Sequence, residues 1–116
     1  MNADTNRWSE WQPFPDPRRN DYLTAPFGAG VYHLKNIATN EDVYIGEGAN
    51  VAYRMTSLLP KPFGQGNRDN SDLRDYVLKN IRDITYRTHS CDTKEAAKSL
   101  EQSLHARYDC KFIKRM

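Results

Sequence analysis

The chain of 116 residues is long enough for one compact domain and too short for two of ordinary size. Charged residues make up 28% of the chain and hydrophobic residues 38%, which excludes collagen-like, coiled-coil and wholly disordered proteins. The formal net charge of +2 permits nucleic-acid binding without arguing for it, so any phosphate-binding surface has to be local.

The cysteines and the apolar segments indicate the cellular compartment of the protein. Cys91 and Cys110 do not make the disulfide framework of a small secreted protein, and no positively charged start followed by an apolar stretch marks a signal peptide. No apolar run approaches the length that spans a membrane. The sequence therefore predicts a cytoplasmic protein with no membrane partner.

Residues 1–27 mix aromatic side chains with prolines, a combination that neither a helix nor a strand tolerates but that can lie extended over a surface. We expect an extended leader that packs its aromatic residues onto the domain. The alternative is a proline-rich ligand for the aromatic groove of a protein partner. The aromatic residues concerned are Trp8, Trp11, Phe14, Tyr22 and Phe27.

Residues 30–35 and 42–45 predict the two strands of a hairpin, joined by turn-forming residues. Side chains alternate between the faces of a strand, so Tyr32 lies on one face of the first strand and His33 on the other. Given a suitable register, Tyr32 and Tyr44 point to the same side of the hairpin.

Two helices and a loop are predicted after the hairpin. Asn50 is suited to cap the first helix, which runs to residue 59 and places Arg54 on the flank of its apolar stripe. Residues 61–70 have the composition of a loop, and the second helix begins directly after them.

A third strand and a last helix complete the predicted fold. Residues 84–88 are rich in β-branched and aromatic side chains, which favour a strand. Asp92, followed three residues later by Glu95, has the form of a capping box that opens the last helix. Glu101 lies on the flank of the apolar stripe of that helix.

Together these elements predict an α/β protein, more closely an α+β sandwich, in which helices flank a three-stranded antiparallel sheet. The single domain spans residues 28–113, and residues 114–116 form a basic tail.

Two short triplets, Gly30-Val31-Tyr32 and Tyr44-Ile45-Gly46, occupy the predicted hairpin. With these triplets the chain resembles the GIY-YIG nuclease superfamily. On average residue usage, two such triplets at a tolerated separation arise by chance on the order of once in ten thousand small chains or fewer.

Further positions match the family pattern, and the resemblance covers roughly residues 28–113. The family's helix arginine follows the second triplet by eight residues, as Arg54 follows Gly46, and Asn50 stands where the family often has asparagine. The family's metal-binding glutamate lies on the last core helix between an alanine-rich turn and a leucine, which matches Glu101.

The resemblance implies an endonuclease that hydrolyses DNA phosphodiester bonds with one Mg²⁺ or Mn²⁺ ion. Glu101 would hold the metal, and Arg54 would offer its planar fork of donors to a phosphate. The tyrosines would orient the water or the phosphate, and one would act as a base if its phenolate were stabilised. The matching catalytic residues are Tyr32, Tyr44, Arg54 and Glu101, and the motif glycines are Gly30 and Gly46.

Two positions depart from the family pattern. Members often carry a basic residue directly after the second triplet, where this chain has Glu47. A carboxylate beside Tyr44 would raise the pKa of that tyrosine, although Glu47 could instead add a second acidic group near the metal. The family's late asparagine falls near Ile113, so that ligand is missing.

Alternatives remain for several of these residues. His33 is a further candidate for the site, although its face of the strand favours packing. A non-catalytic module on the same fold would bind nucleic acid through Arg54 and the basic loop, or a protein through the leader. The basic residues that could track a DNA backbone are Lys61, Arg68, Lys111, Lys114 and Arg115.

Overall fold

The computed structural model describes residues 8–16, 23, 25–56, 58 and 71–112. Within these residues four strands pair into one antiparallel sheet, in the order β1-β4-β2-β3. The strands are β1 (Gln12–Pro13), β2 (Gly30–Asn36), β3 (Glu41–Gly48) and β4 (Ile84–Ser90). The helices are α1 (Val51–Thr56), α2 (Ser71–Lys79) and α3 (Lys94–Arg107), and a 3₁₀ turn at Ile81–Asp83 precedes β4. The predicted α+β class is confirmed.

The predicted count of three strands is wrong, because part of the leader joins the sheet. Gln12 pairs with Tyr86 and Pro13 with Thr85, which makes β1 an edge strand beside β4. Proline is tolerated at such an edge because a strand there needs hydrogen bonds on one side alone. The aromatic ring of Phe14, directly after β1, is buried in the core.

Helices cover both faces of the sheet. The side chains of Tyr32 and Leu34 share a core cluster with residues of α1 and α2, whereas Val31 packs with residues of α3. In the part of the chain that the structure describes, no helix combines the length and the apolar character of a membrane span.

The helix caps differ in part from those predicted. Asn50 caps α1 as expected, since its Oδ1 accepts a hydrogen bond from the main-chain N–H of Tyr53 at 3.0 Å. Helix α3 is capped by Thr93 rather than Asp92, because the Thr93 Oγ1 accepts from the N–H of Ala96 at 3.0 Å. The predicted capping box is therefore wrong by one residue, and the helix begins one residue later than an Asp92 cap would place it.

Some element boundaries also differ. Strand β3 continues beyond the predicted residue 45 to Gly48, and β4 continues to Ser90. Helix α1 ends at Thr56 instead of 59, and Leu58 lies in a turn after it. The predicted loop at 61–70 and the predicted tail at 114–116 lie outside the described residues.

Candidate active site

The motif glycines are required by close packing. Gly46 lies opposite Tyr32 in the register of β2 and β3, and a Cβ on Gly46 would lie 2.6 Å from the Cζ of the Tyr32 ring. A Cβ on Gly30 would collide with the main-chain oxygen of His89 and would lie 2.9 Å from the Cγ2 of Val51. Gly46 thus lets the Tyr32 ring lie across β3, and Gly30 lets β4 and α1 approach the start of β2.

The two motif tyrosines lie together, as predicted. The ring centroids of Tyr32 and Tyr44 are 5.9 Å apart, with the ring planes inclined by 44°. Tyr32 is buried and Tyr44 half-buried. Burial raises the pKa of Tyr32 well above its ordinary value and raises the pKa of Tyr44 to about 12. Both phenols are therefore protonated at neutral pH, where they act as hydrogen-bonding groups.

The other predicted residues act electrostatically on the same pair of tyrosines. After burial, the Glu101 carboxylate is the largest cause of the raised pKa of Tyr44, and the Arg54 guanidinium opposes it. Glu47 raises the pKa of Tyr44 further, by less than Glu101 does. The same three charged groups act on Tyr32. The structure thus brings two acids and one arginine, drawn from β3, α1 and α3, to one tyrosine pair.

Both acids are buried, which is rare for carboxylates. Glu47 is 6% exposed and Glu101 is 7% exposed. One turn after Glu101, the His105 Nε2 donates a hydrogen bond to the main-chain oxygen of Ile45 at 3.0 Å. That bond ties α3 to β3 one turn from Glu101, where Ala97 and Leu104 of the helix pack against Val31 and Ile45 of the sheet. Buried acids that perturb neighbouring titratable groups are typical of functional sites, although ion-pair networks also produce them.

A cleft of about 440 Å³ opens between α1 and α3, and it is lined by Glu47 and Arg54 but not by Tyr32, Tyr44 or Glu101. Arg54 lines this cleft and its side chain is exposed. The start of that side chain passes close to Gly48, the last residue of β3, since a Cβ on Gly48 would lie 3.5 Å from the Cβ of Arg54. The cleft is lined by Glu47, Gly48, Ala49, Asn50, Tyr53, Arg54, Lys94 and Lys98.

The lysines of the cleft are functional candidates that the sequence analysis missed. Lys94, Lys98 and Glu101 follow one another along α3 at spacings of four and three, so they share one face of the helix. This spacing is visible in the sequence and would have identified the two lysines once Glu101 had been chosen.

Of the basic residues predicted to contact DNA, Lys111 is described and lies away from the cleft. Its main-chain N–H donates to the carbonyl of Asp42 at 2.9 Å, near the start of β3. The cleft adjoins Gly48 at the other end of that strand, about 20 Å away at the usual rise per residue. Lys61, Arg68, Lys114 and Arg115 lie outside the described residues.

His33 lies on the opposite face of the hairpin, within a second polar cluster. Its Nε2 lies 2.8 Å from the Oδ1 of Asp42, and its Nδ1 accepts from the Nε of Arg87 at 3.3 Å. The Arg87 guanidinium lies 4.0 Å from the ring centroid of Trp8 and 4.9 Å from that of Trp11. Both ring nitrogens of His33 are thus engaged within the chain, which indicates a packing role.

The described residues contain no group of three or more His, Cys, Asp or Glu side chains arranged to hold a metal ion. The acids among the described residues that act on the tyrosine pair are Glu47 and Glu101.

Comparison of the chain with protein-family models, with curated proteins and with solved structures finds no match. The GIY-YIG resemblance therefore stays a prediction.

Proposed function

We propose that the protein is a metal-dependent endonuclease that hydrolyses DNA phosphodiester bonds in the manner of GIY-YIG nucleases. The proposal is carried by one observation: buried Glu47 and Glu101 and exposed Arg54 act electrostatically on the same tyrosine pair, and Glu47 and Arg54 also line an open cleft. The two triplets that form this hairpin support it further.

Arg54 and the two lysines would bind the substrate backbone. The guanidinium presents paired donors that match a phosphate, and it stays charged throughout the reaction. Lys94 and Lys98 add positive charge to the same cleft. The protonated phenols of Tyr32 and Tyr44 would donate hydrogen bonds and so orient the phosphate or the attacking water.

The acids fit a hard divalent cation. Carboxylate oxygens are the ligands that Mg²⁺ prefers, and one or two carboxylates together with water and substrate phosphates commonly hold it. Glu101 would hold Mg²⁺ or Mn²⁺, with Glu47 as a second acid near it. When bound, such an ion lowers the pKa of a water molecule and neutralises charge on the phosphate oxygens.

The test is cleavage of supercoiled plasmid and of branched DNA with Mg²⁺ or Mn²⁺. We expect the wild-type chain to cut, and Glu101→Gln to cut at least about 100-fold more slowly because an electrostatic group of the site is lost. Glu95→Gln is the matched control, since Glu95 is an exposed acid on the same helix. Circular dichroism and thermal unfolding should show that both variants fold.

Two results would contradict the proposal: a wild-type chain that cuts neither substrate, or a folded Glu101→Gln variant that cuts as fast as the wild type. Strong binding of DNA that weakens with salt, without any turnover, would favour the non-catalytic binding module instead.

A further inference from the structure

Two aromatic rings stand in solvent next to the candidate site. Among the described residues they are the most exposed of the large hydrophobic side chains: Phe27 is 84% exposed and Tyr53 is 77% exposed. Both line a hollow of about 510 Å³ whose other lining residues include Leu23, Ala25 and Ala52. Exposed apolar surface of this kind commonly marks a binding site for a ligand or a partner.

The backbone holds the two rings on one rim. The main-chain N–H groups of Val51 and Ala52, at the start of α1, donate to the carbonyls of Gly28 at 3.1 Å and Pro26 at 2.9 Å. These two carbonyls flank Phe27, so its main chain is fixed against the first turn of α1. Tyr53 lies in that same turn.

The hollow adjoins the cleft, because Asn50 and Tyr53 line both. The cleft carries the cationic side chains of Arg54, Lys94 and Lys98 against one acid, the buried Glu47. Aromatic rings beside a basic groove are the combination by which proteins bind single-stranded nucleic acid, since bases stack on the rings while the groove follows the phosphates. The charge beside the rings therefore favours a nucleotide over an apolar peptide or a lipid.

We propose that Phe27 and Tyr53 stack on the bases of unpaired nucleotides next to the phosphate held in the cleft. The substrate class is then DNA that carries a single-stranded segment, such as a flap or a gap, rather than continuous duplex. In a duplex the faces of the bases are covered by neighbouring bases, so a side chain cannot stack on them without extruding a nucleotide. The position of the cut rests on the proposed nuclease function, whereas the stacking contact does not.

The test measures binding without cleavage, by the fluorescence anisotropy of a labelled oligothymidylate in EDTA. We expect Phe27→Leu and Tyr53→Leu each to weaken binding on the order of tenfold, and the ring-retaining Phe27→Tyr and Tyr53→Phe to bind like the wild type. The slope of affinity against salt should not change, because neither substitution removes a charge. A matched control is Ile37→Ala, which removes an exposed apolar side chain at the turn end of the hairpin.

Cleavage then separates this inference from the proposed function. A flap substrate should be cut faster than a duplex of the same sequence, and both leucine variants should lose that preference. If the leucine variants bind single strands like the wild type, or if the wild type binds single strands no better than duplex, the inference is wrong even where the protein cuts DNA. Ring-dependent binding without any cleavage would refute the nuclease and leave the inference standing.

A further result would also overturn the stacking contact. If the rings of Phe27 and Tyr53 instead pack against a second copy of this chain, sedimentation should show that the wild type is a dimer. The leucine variants should then be monomers whose affinity for single-stranded DNA is unchanged.

Discussion

Tyr32 and His33 are neighbours on β2, yet they belong to polar clusters on opposite faces of the sheet. On the His33 face the polar groups bind one another. The two ring nitrogens of His33 contact Asp42 and Arg87, and the rings of Trp8 and Trp11 pack on the Arg87 guanidinium. On the Tyr32 face two buried acids, Glu47 and Glu101, act electrostatically on the protonated phenols, and Glu47 also lines a cleft open to solvent. Charged and aromatic residues occur in both clusters, so residue type alone does not separate the proposed site from a stabilising network.

Among the substitutions that compare the two clusters, the largest expected effect is the loss of activity on removing the arginine of the tyrosine cluster. Arg54→Met should slow DNA cleavage on the order of 100-fold, because the charged donor to the phosphate is lost. It should change the free energy of unfolding by less than about 1 kcal/mol, because Arg54 is exposed. Plasmid nicking and urea unfolding measure the two quantities. Arg82→Met, which removes an exposed arginine just before β4, is the control for charge.

The same change in the other cluster should have the reverse effect. Arg87→Met should lower the free energy of unfolding by about 2 kcal/mol, since it removes hydrogen bonds to His33 and contacts with two tryptophan rings. The folded fraction should still cut DNA at the wild-type rate. If Arg87→Met abolished cleavage while the protein stayed folded, the division of roles between the two faces would be refuted.

A third prediction concerns the glycine beneath the Tyr32 ring. Gly46→Ala should destabilise the protein by about 1–3 kcal/mol, because its Cβ would lie 2.6 Å from a buried ring that has to move. Gly48→Ala is the matched control, since its Cβ would meet the Arg54 side chain at 3.5 Å, an ordinary contact. Denaturant unfolding compares the two. Equal stability of both variants would show that the Tyr32 ring is not held against β3.

The smallest expected effect is a pH dependence that arises from His33. Burial lowers the pKa of His33, helped by the positive charges of Arg87 and Lys35 and opposed by the hydrogen bond and charge of Asp42. The unfolded chain therefore takes up a proton near pH 6.5 that the folded chain does not, so stability is complete above that pH and falls as the pH drops below it.

Urea unfolding at pH 7.5 and pH 5.5 checks this dependence. The wild type should lose more stability between these values than His33→Gln, which has no imidazole to titrate. Equal losses of stability in the two proteins would show that His33 does not cause the pH dependence. Because the pKa of Tyr44 is about 12, that phenol adds nothing over this range.

The local patterns predicted the elements well because they depend on neighbours in the chain. Alternation along β2 and β3 placed Tyr32 and Tyr44 on one side, and the register confirms it. The side chain of Asn50 caps α1 as its residue type favours. The capping prediction failed at α3 because Asp92 and Thr93 are both good caps, and a preference for residue type does not choose between adjacent ones.

Contacts between distant segments were harder to predict. The pairing of Gln12 with Tyr86 joins residues 74 apart, and a two-residue strand that contains proline has no periodicity to detect. The position of Lys98 beside Arg54 depends likewise on how α3 packs along β3. Neither relation is encoded in a local pattern, so both became visible in the folded chain.

The sequence by itself determined the hairpin, the helix that follows it, the α+β class and the candidate site residues, because these follow from alternation, caps and motif spacing. The tertiary structure decided which residues meet. One extra residue in β3, between the pairs Leu34–Tyr44 and Lys35–Asp42, turns Asp42 toward His33 and away from Tyr44. Packing likewise buried Glu47 and Glu101 near one tyrosine pair, since burial depends on the whole chain and not on the residues beside each acid.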